Sequence, residues 1–139
     1  MLRAYLDTNV YVRGLLYPDT KSAMVLEEVA RGTFTVIQSD YLYDEVIRWF
    51  KTNKGKDWAG RARLFMLTVP RGMTVTKPKW SLFLDKCKSY VSDTDDLPHI
   101  CAYFSTDCDY FVTTNRALTQ QKIKKLVKFR SPTEFMEEL

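Results

Sequence analysis

Arg3-Ala4-Tyr5-Leu6-Asp7-Thr8-Asn9 decides how the rest of the chain is read, because a short apolar run ends there in an acid followed by two hydrogen-bonding side chains. Arg3 to Leu6 reads as a strand. From Asn9 to Leu16, and again from about Thr20 to Ala30, apolar residues recur at helical spacing. Pro18 separates the two helical pieces and Gly32 ends the second.

The alternation continues to the C-terminus. Thr33 to Ile37 is β-branched and aromatic, a strand. A helix from Ser39 carries Leu42, Val46 and Trp49-Phe50 and closes at Asn53 and Gly55, and a second runs from Trp58 to Val69, stopped by Pro70. Met73 to Thr76 reads as a strand, followed by a helix with Pro78 in its first turn that continues through Tyr90. The helix after Asp95 tolerates Pro98 for the same reason. Then come a strand at Asp109–Thr113, a basic helix, a short strand near Val127–Phe129 and a last helix. Ser131-Pro132-Thr133-Glu134 opens that last helix as a capping box. Strands and helices in strict turn imply an α/β layered fold with a mainly parallel sheet. Ligand sites in such sheets form at the carboxyl ends of strands, where the strand order reverses.

A chain of 139 residues is one domain, 1–139, with no linker or repeat to divide it. Asp7 arrives too early for the apolar core of a signal peptide, and no stretch is long enough to span a bilayer, so the expected location is cytoplasmic and not membrane-bound. Cys87, Cys101 and Cys108 show no C-x-x-C spacing, which speaks against a disulfide framework or zinc knuckle; His99 is the one histidine, too few for a His-rich metal site. A net charge of +4 permits a polyanionic partner without requiring one.

The chemistry lies in the acids at element ends. Asp7 follows the first strand, Glu45 lies in the helix after the second, Asp95 and Asp96 open a helix, and Asn115 follows the strand Phe111-Val112-Thr113. A parallel sheet gathers such positions on one edge. Carboxylates crowded there repel one another unless a cation sits among them, and oxygen-only ligands suit Mg²⁺ or Mn²⁺. Such ions serve in-line displacement at phosphorus, which points to metal-assisted phosphodiester hydrolysis. Taken singly, each acid has an ordinary explanation, such as complementing a helix dipole. Their joint occurrence, in order, favours the catalytic reading.

That order resembles the PIN-domain family. Tyr5-Leu6-Asp7-Thr8-Asn9-Val10 is similar to the family's opening motif, and Ser39-Asp40-Tyr41-Leu42-Tyr43-Asp44-Glu45 to its second, which favours Glu45 over Asp44. Asp96-Leu97-Pro98-His99-Ile100 resembles the third and favours Asp96 over Asp95. Phe111-Val112-Thr113-Thr114-Asn115 resembles the fourth, and Ser131-Pro132-Thr133-Glu134-Phe135 the usual tail.

The resemblance implies a three-layer α/β/α sandwich and Mg²⁺- or Mn²⁺-dependent cleavage of RNA. It implies that Asp7, Glu45 and Asp96 are metal ligands and catalytic residues, supported by Thr8, Asn9 and Thr113. It further implies a small VapC-type toxin, dimeric and held by an antitoxin protein. Asn115 is counted with the catalytic residues but departs from the pattern, which carries aspartate there; its amide oxygen can still coordinate, yet a second metal is expected to bind more weakly, and Asp95 is placed to compensate. Arg116 is assigned to the RNA phosphate, whereas Lys124, Lys125 and Lys128 read equally well as a solvated face. His99 lies one helical turn after Asp96 and could act as an acid or touch phosphate, but a buried packing residue is the expected reading. Trp49, Phe50, Trp58 and Phe65 are expected in the core, with any exposed member marking an antitoxin groove.

Two enzyme rivals fail on spacing. A haloacid-dehalogenase-type phosphatase needs an acid where this chain has Asn9, and a phosphotransfer receiver needs paired acids before the first helix. A non-catalytic RNA- or protein-binding module of the same fold rests on Asn115 alone.

Overall fold

The computed structural model describes residues 1–139. Five strands, β1 (Arg3–Leu6), β2 (Thr35–Ser39), β3 (Gly72–Val75), β4 (Tyr110–Val112) and β5 (Phe129–Arg130), form one parallel sheet in the order β3-β2-β1-β4-β5. The chain moves outward from β1 to β3, then returns across the sheet to β4. The reversal falls between β1 and β4, so the crevice above their carboxyl ends is the natural ligand site.

Helices α1 (Thr8–Leu16) and α2 (Lys21–Arg31) connect β1 to β2, while α3 (Asp40–Asn53) and α4 (Lys56–Leu67) connect β2 to β3. The return to β4 runs through α5 (Lys77–Trp80), a 3₁₀ turn, α6 (Leu84–Cys87) and α7 (Leu97–Ser105). Right-handed crossovers in opposite directions put α1–α4 and α5–α7 on opposite faces. Side-chain alternation agrees. Tyr5 and Phe111, paired in register and stacked at 5.3 Å, meet His99 and Tyr103 of α7. Phe34 and Tyr110 instead meet Phe135 of the last helix, α9 (Pro132–Glu138), which packs on α2. The core between the layers is continuous from Ala4 to Phe135.

Caps set the element ends that matter later. Thr20 and Ser39 cap α2 and α3 with their hydroxyls, and Gly32 takes the left-handed conformation (φ 70°) that closes α2. Gly14 lets α1 lie close to the start of α2: a Cβ there would stand 2.6 Å from Leu26 Cδ1 and 2.9 Å from the Ser22 carbonyl. The Ser131–Glu134 capping box is complete, with both reciprocal bonds made.

Two helices expected from sequence are broken. Between Lys77 and Cys87 a 3₁₀ turn at Ser81–Phe83 interrupts the helix. Trp80 is buried and Phe83 stacks on Phe104 of α7; the tighter turn brings residues three apart into line, as a regular α-helix does not. The basic segment forms only α8 (Arg116–Thr119) and a 3₁₀ turn at Lys122–Lys125. Its buried residues, Leu118, Ile123 and Val127, do not share one helical face, and Gln121 at the break accepts a bond from the Ser92 amide at 2.8 Å. The second strand starts at Thr35 instead of Thr33 and runs to Ser39, and the fifth lies at Phe129–Arg130. All three cysteines are free. No helix is long and apolar enough to cross a membrane.

Candidate active site

Asp7 leaves β1 at the switch point, where its amide bonds the carbonyl of Val112, the last residue of β4, at 2.9 Å. Its carboxylate is buried and fully held. Oδ1 accepts from the Thr8 amide at 2.8 Å; Oδ2 accepts from Thr113 Oγ1 at 2.8 Å and from Asn9 Nδ2 at 3.2 Å. Asn9 also donates to Thr113 Oγ1 and accepts from the Thr114 amide, both at 3.2 Å. The Asn9 and Thr113 side chains thus lock the ends of β1 and β4 together around one acid, while the Thr8 amide holds its other oxygen.

Glu45 reaches the same point from α3. Its Oε1 accepts from the Thr8 hydroxyl and from His99 Nε2, the latter at 3.0 Å. Behind the histidine the chain of bonds goes deeper: His99 Nδ1 lies 2.7 Å from the Tyr5 hydroxyl, which lies 2.8 Å from Ser39 Oγ. A carboxylate only accepts, so Nε2 carries a proton; Nδ1 accepts from the Tyr5 hydroxyl when the ring is neutral and donates to it when the ring is charged. Burial disfavours charge on His99, but the hydrogen bond to Glu45 and the nearby charges of Asp7, Glu45 and Asp96 outweigh it and raise its pKa. Burial likewise works against the Glu45 carboxylate, and bonds from His99 and Thr8 hold its pKa low.

One ligand atom from each of Asp7, Glu45 and His99 lies within 4.8 Å of the others. His99 has no free nitrogen to offer, because both are taken. Asp96 is outside that tight group but lines the same cleft, about 520 Å³ in volume, with Asp7, Thr8, Asn9, Glu45, Asp95 and Asn115. Its carboxylate makes no hydrogen bond, and its pKa is pushed up to about 6, by burial first and then by Asp7, Asp93 and Glu45. Asp95 is exposed at the rim. The cleft therefore offers oxygen donors with uncompensated repulsion, a set that fits a hard divalent cation.

Asn115 lies at the rim with a second duty. Its Oδ1 accepts from the Leu118 amide at 3.3 Å and caps α8, while Arg116 beside it is exposed. Val12, Leu16, Tyr17 and Trp49 make the apolar wall of the cleft, and Arg13 also lines it.

The sequence reading missed the role of His99. It is buried, as a packing residue would be, yet it ties Glu45 to β1. The spacing from Asp96 places His99 near the site; the unused signal was Tyr5, which shares the face of Asp7 on β1.

The family model for the PIN domain matches residues 3–117, which spans this whole site. The chain belongs to the PIN-domain family. PIN domains are nucleases. With that assignment the haloacid-dehalogenase-type alternative loses its basis. The PIN fold is also what solved structures share with this chain. VapBC2 from Rickettsia felis, bound to a DNA fragment from their promoter, superposes with a TM-score of 0.70 at 16% identity, covering 94% of this chain and 98% of the other. VapBC-1 from nontypeable Haemophilus influenzae gives 0.63 at 16% identity, covering 95% and 99%. Mycobacterium tuberculosis VapC20, a toxin that cleaves the Sarcin-Ricin loop, gives 0.56 at 12% identity, covering 78% and 86%. No curated protein matches the chain.

Proposed function

We propose that this PIN domain is a metal-dependent endoribonuclease and the toxin of a VapBC-type pair. The observation that carries the nuclease reading is the convergence of Asp7, Glu45 and Asp96 on one cleft at the sheet's switch point, with Asp96 left unpaired and its pKa raised.

Asp7, Glu45 and Asp96 are the residues that would hold Mg²⁺ or Mn²⁺. When bound, such an ion lowers the pKa of water and offsets charge developing at phosphorus. Thr8, Asn9 and Thr113 fix the Asp7 carboxylate, and His99 with Thr8 fixes that of Glu45, so neither rotates as substrate arrives. Asp95 adds negative charge at the rim, Asn115 borders the attacked phosphate, and Arg116 contacts the RNA backbone.

Half-buried Trp49, Trp58 and Phe65, together with Leu64 and Leu67, exposed to 65% and 68% on α3 and α4, support an antitoxin-binding surface. A homodimer acting in the cytoplasm completes the reading. The Asn115 oxygen, turned to the α8 amide, favours one alternative: a PIN module that binds RNA or protein without cutting.

Incubation with structured and unstructured RNA, with Mn²⁺ or chelator, tests both. Cleavage that needs the metal and is lost in Asp7→Asn supports the nuclease. Binding without cleavage by wild type supports the module.

A further inference from the structure

Beside the acidic cleft lies a larger cavity, about 930 Å³, between the start of α2, the start of α9 and the loop after β4. Its lining is almost wholly polar. The two cavities share Arg13, Thr114 and Asn115, so a chain bound at the acids has an open path into the second.

Four cations, Arg13, Lys21, Arg116 and Arg130, outnumber two acids, Asp19 and Glu134, in that lining. Arg13, Lys21 and Arg116 line the cavity, are exposed and enter no ion pair. Arg130 differs, being held by Glu138 at 3.0 Å and stacked on Tyr110. The cavity also meets the N-terminus of α2, a helix of 11 residues whose first amides, at Lys21 and Ser22, have no partner inside the protein. Ser22 packs beneath these groups. It lines the cavity, is 2% exposed, and its hydroxyl has no hydrogen-bond partner. That oxygen is sealed from solvent, so the exposed cations are the groups that an oxyanion in the cavity meets first.

We infer that this cavity is a phosphate tract that holds the nucleotides on one side of the scissile bond. The inference deepens the nuclease reading and rests on it for the identity of the strand. Arg13 lies at the junction of the two cavities, between the cut phosphate and its neighbour. Lys21 and the α2 amides take the phosphate beyond. The acids repel a polyanion, and the tract supplies the attraction that brings the strand to them. The contacts are to the backbone, so the tract sets length and polarity of the substrate more than its sequence.

Binding of a fluorescent single-stranded RNA decamer, measured by anisotropy in chelator across a salt series, tests this. Lys21→Glu is expected to weaken binding about tenfold and to flatten the salt dependence by about one unit of slope. Lys124→Glu makes the same charge change outside both cavities and is expected to stay near wild type. Equal losses in the two variants, or none in Lys21→Glu, overturn the tract. The outcome is separable from the nuclease reading. Wild-type cleavage with kcat/KM unaltered in Lys21→Glu would refute the tract and leave the nuclease. Lys21-dependent binding without any metal-dependent cleavage would do the opposite.

Discussion

His99 Nε2 lies 3.0 Å from Glu45 Oε1, on a ring whose other nitrogen is held at 2.7 Å by Tyr5. A strand residue of the central sheet thus determines where a carboxylate on α3 points, through a histidine on α7. Three elements far apart in sequence are tied at the cleft floor.

His99→Phe keeps the volume of the site and removes the tie. Partners behind a metal ligand typically alter affinity 10- to 100-fold, so Mn²⁺ binding is expected to weaken by about tenfold. Tyr5→Phe leaves His99 Nδ1 buried without a partner and is expected to cost about 1–3 kcal/mol of stability. Calorimetric titration with Mn²⁺ and a denaturant melt separate the two effects. Unchanged Mn²⁺ affinity in His99→Phe would show that the Glu45 orientation does not depend on the imidazole.

Asp96 makes the opposite kind of prediction, since it is the acid without a partner. Its pKa is raised to about 6 by burial and neighbouring acids, so protonation favours the fold. In chelator its contribution is fully present below the ordinary carboxylate range near 4 and is lost as pH rises through about 6. Asp96→Asn removes that loss. At pH 7 the metal-free variant is expected to melt about 3–5 °C above wild type, as for a gain on the order of 1 kcal/mol after solvent screening. Mn²⁺ is expected to stabilise wild type more than the variant. A variant that melts lower, with equal response to Mn²⁺, would mean that Asp96 only serves the helix start.

Asn115 caps α8, and aspartate caps equally well. Asn115→Asp is therefore expected to preserve the fold while adding a charge at the cleft rim, and to tighten Mn²⁺ binding. Calorimetry reads this directly, and unchanged or weaker binding would place the side chain outside the metal's reach.

The order of elements, the end of the first strand and the helix starts at Thr20, Ser39 and Ser131 were legible because each signal is local. Thr20, Ser39 and Ser131 act within a turn of their own helices, and Asp7 follows a strand with an unmistakable apolar run. Where the sequence misled, the determinant was non-local. The break after Trp80 depends on packing against α7, and the break at Gln121 on a bond to Ser92, neither visible as periodicity. The task of His99 likewise depends on a tyrosine and a glutamate more than fifty residues away. The second cavity was invisible for the same reason, since it is bounded by the starts of α2 and α9 and one loop.

Asp40 provides a pH effect of opposite sign to that of Asp96. Its Oδ1 accepts from the Tyr41 amide and from Trp80 Nε1, both at 2.8 Å, and its Oδ2 from the Lys77 amide at 2.9 Å. Burial alone would raise its pKa, but the bonds from Trp80, Lys77 and Tyr41 outweigh it and hold the carboxyl low. A depressed folded value means stability that is present above the ordinary range near 4 and lost as pH falls through the folded value. Asp40→Ala removes the bonds that join the start of α3 to α5 and leaves the Trp80 indole without a partner, a loss of about 1–2 kcal/mol. Asp40→Asn keeps one acceptor oxygen and is expected to lose less, with a flatter acid limb in its stability profile. The Trp80 indole N–H resonance reports the bond itself. In wild type it should shift as pH falls below the ordinary carboxylate range near 4, before global unfolding, while in Asp40→Asn it should not. A wild-type resonance that stays fixed until the whole chain unfolds would show that the Asp40 carboxylate does not anchor α5.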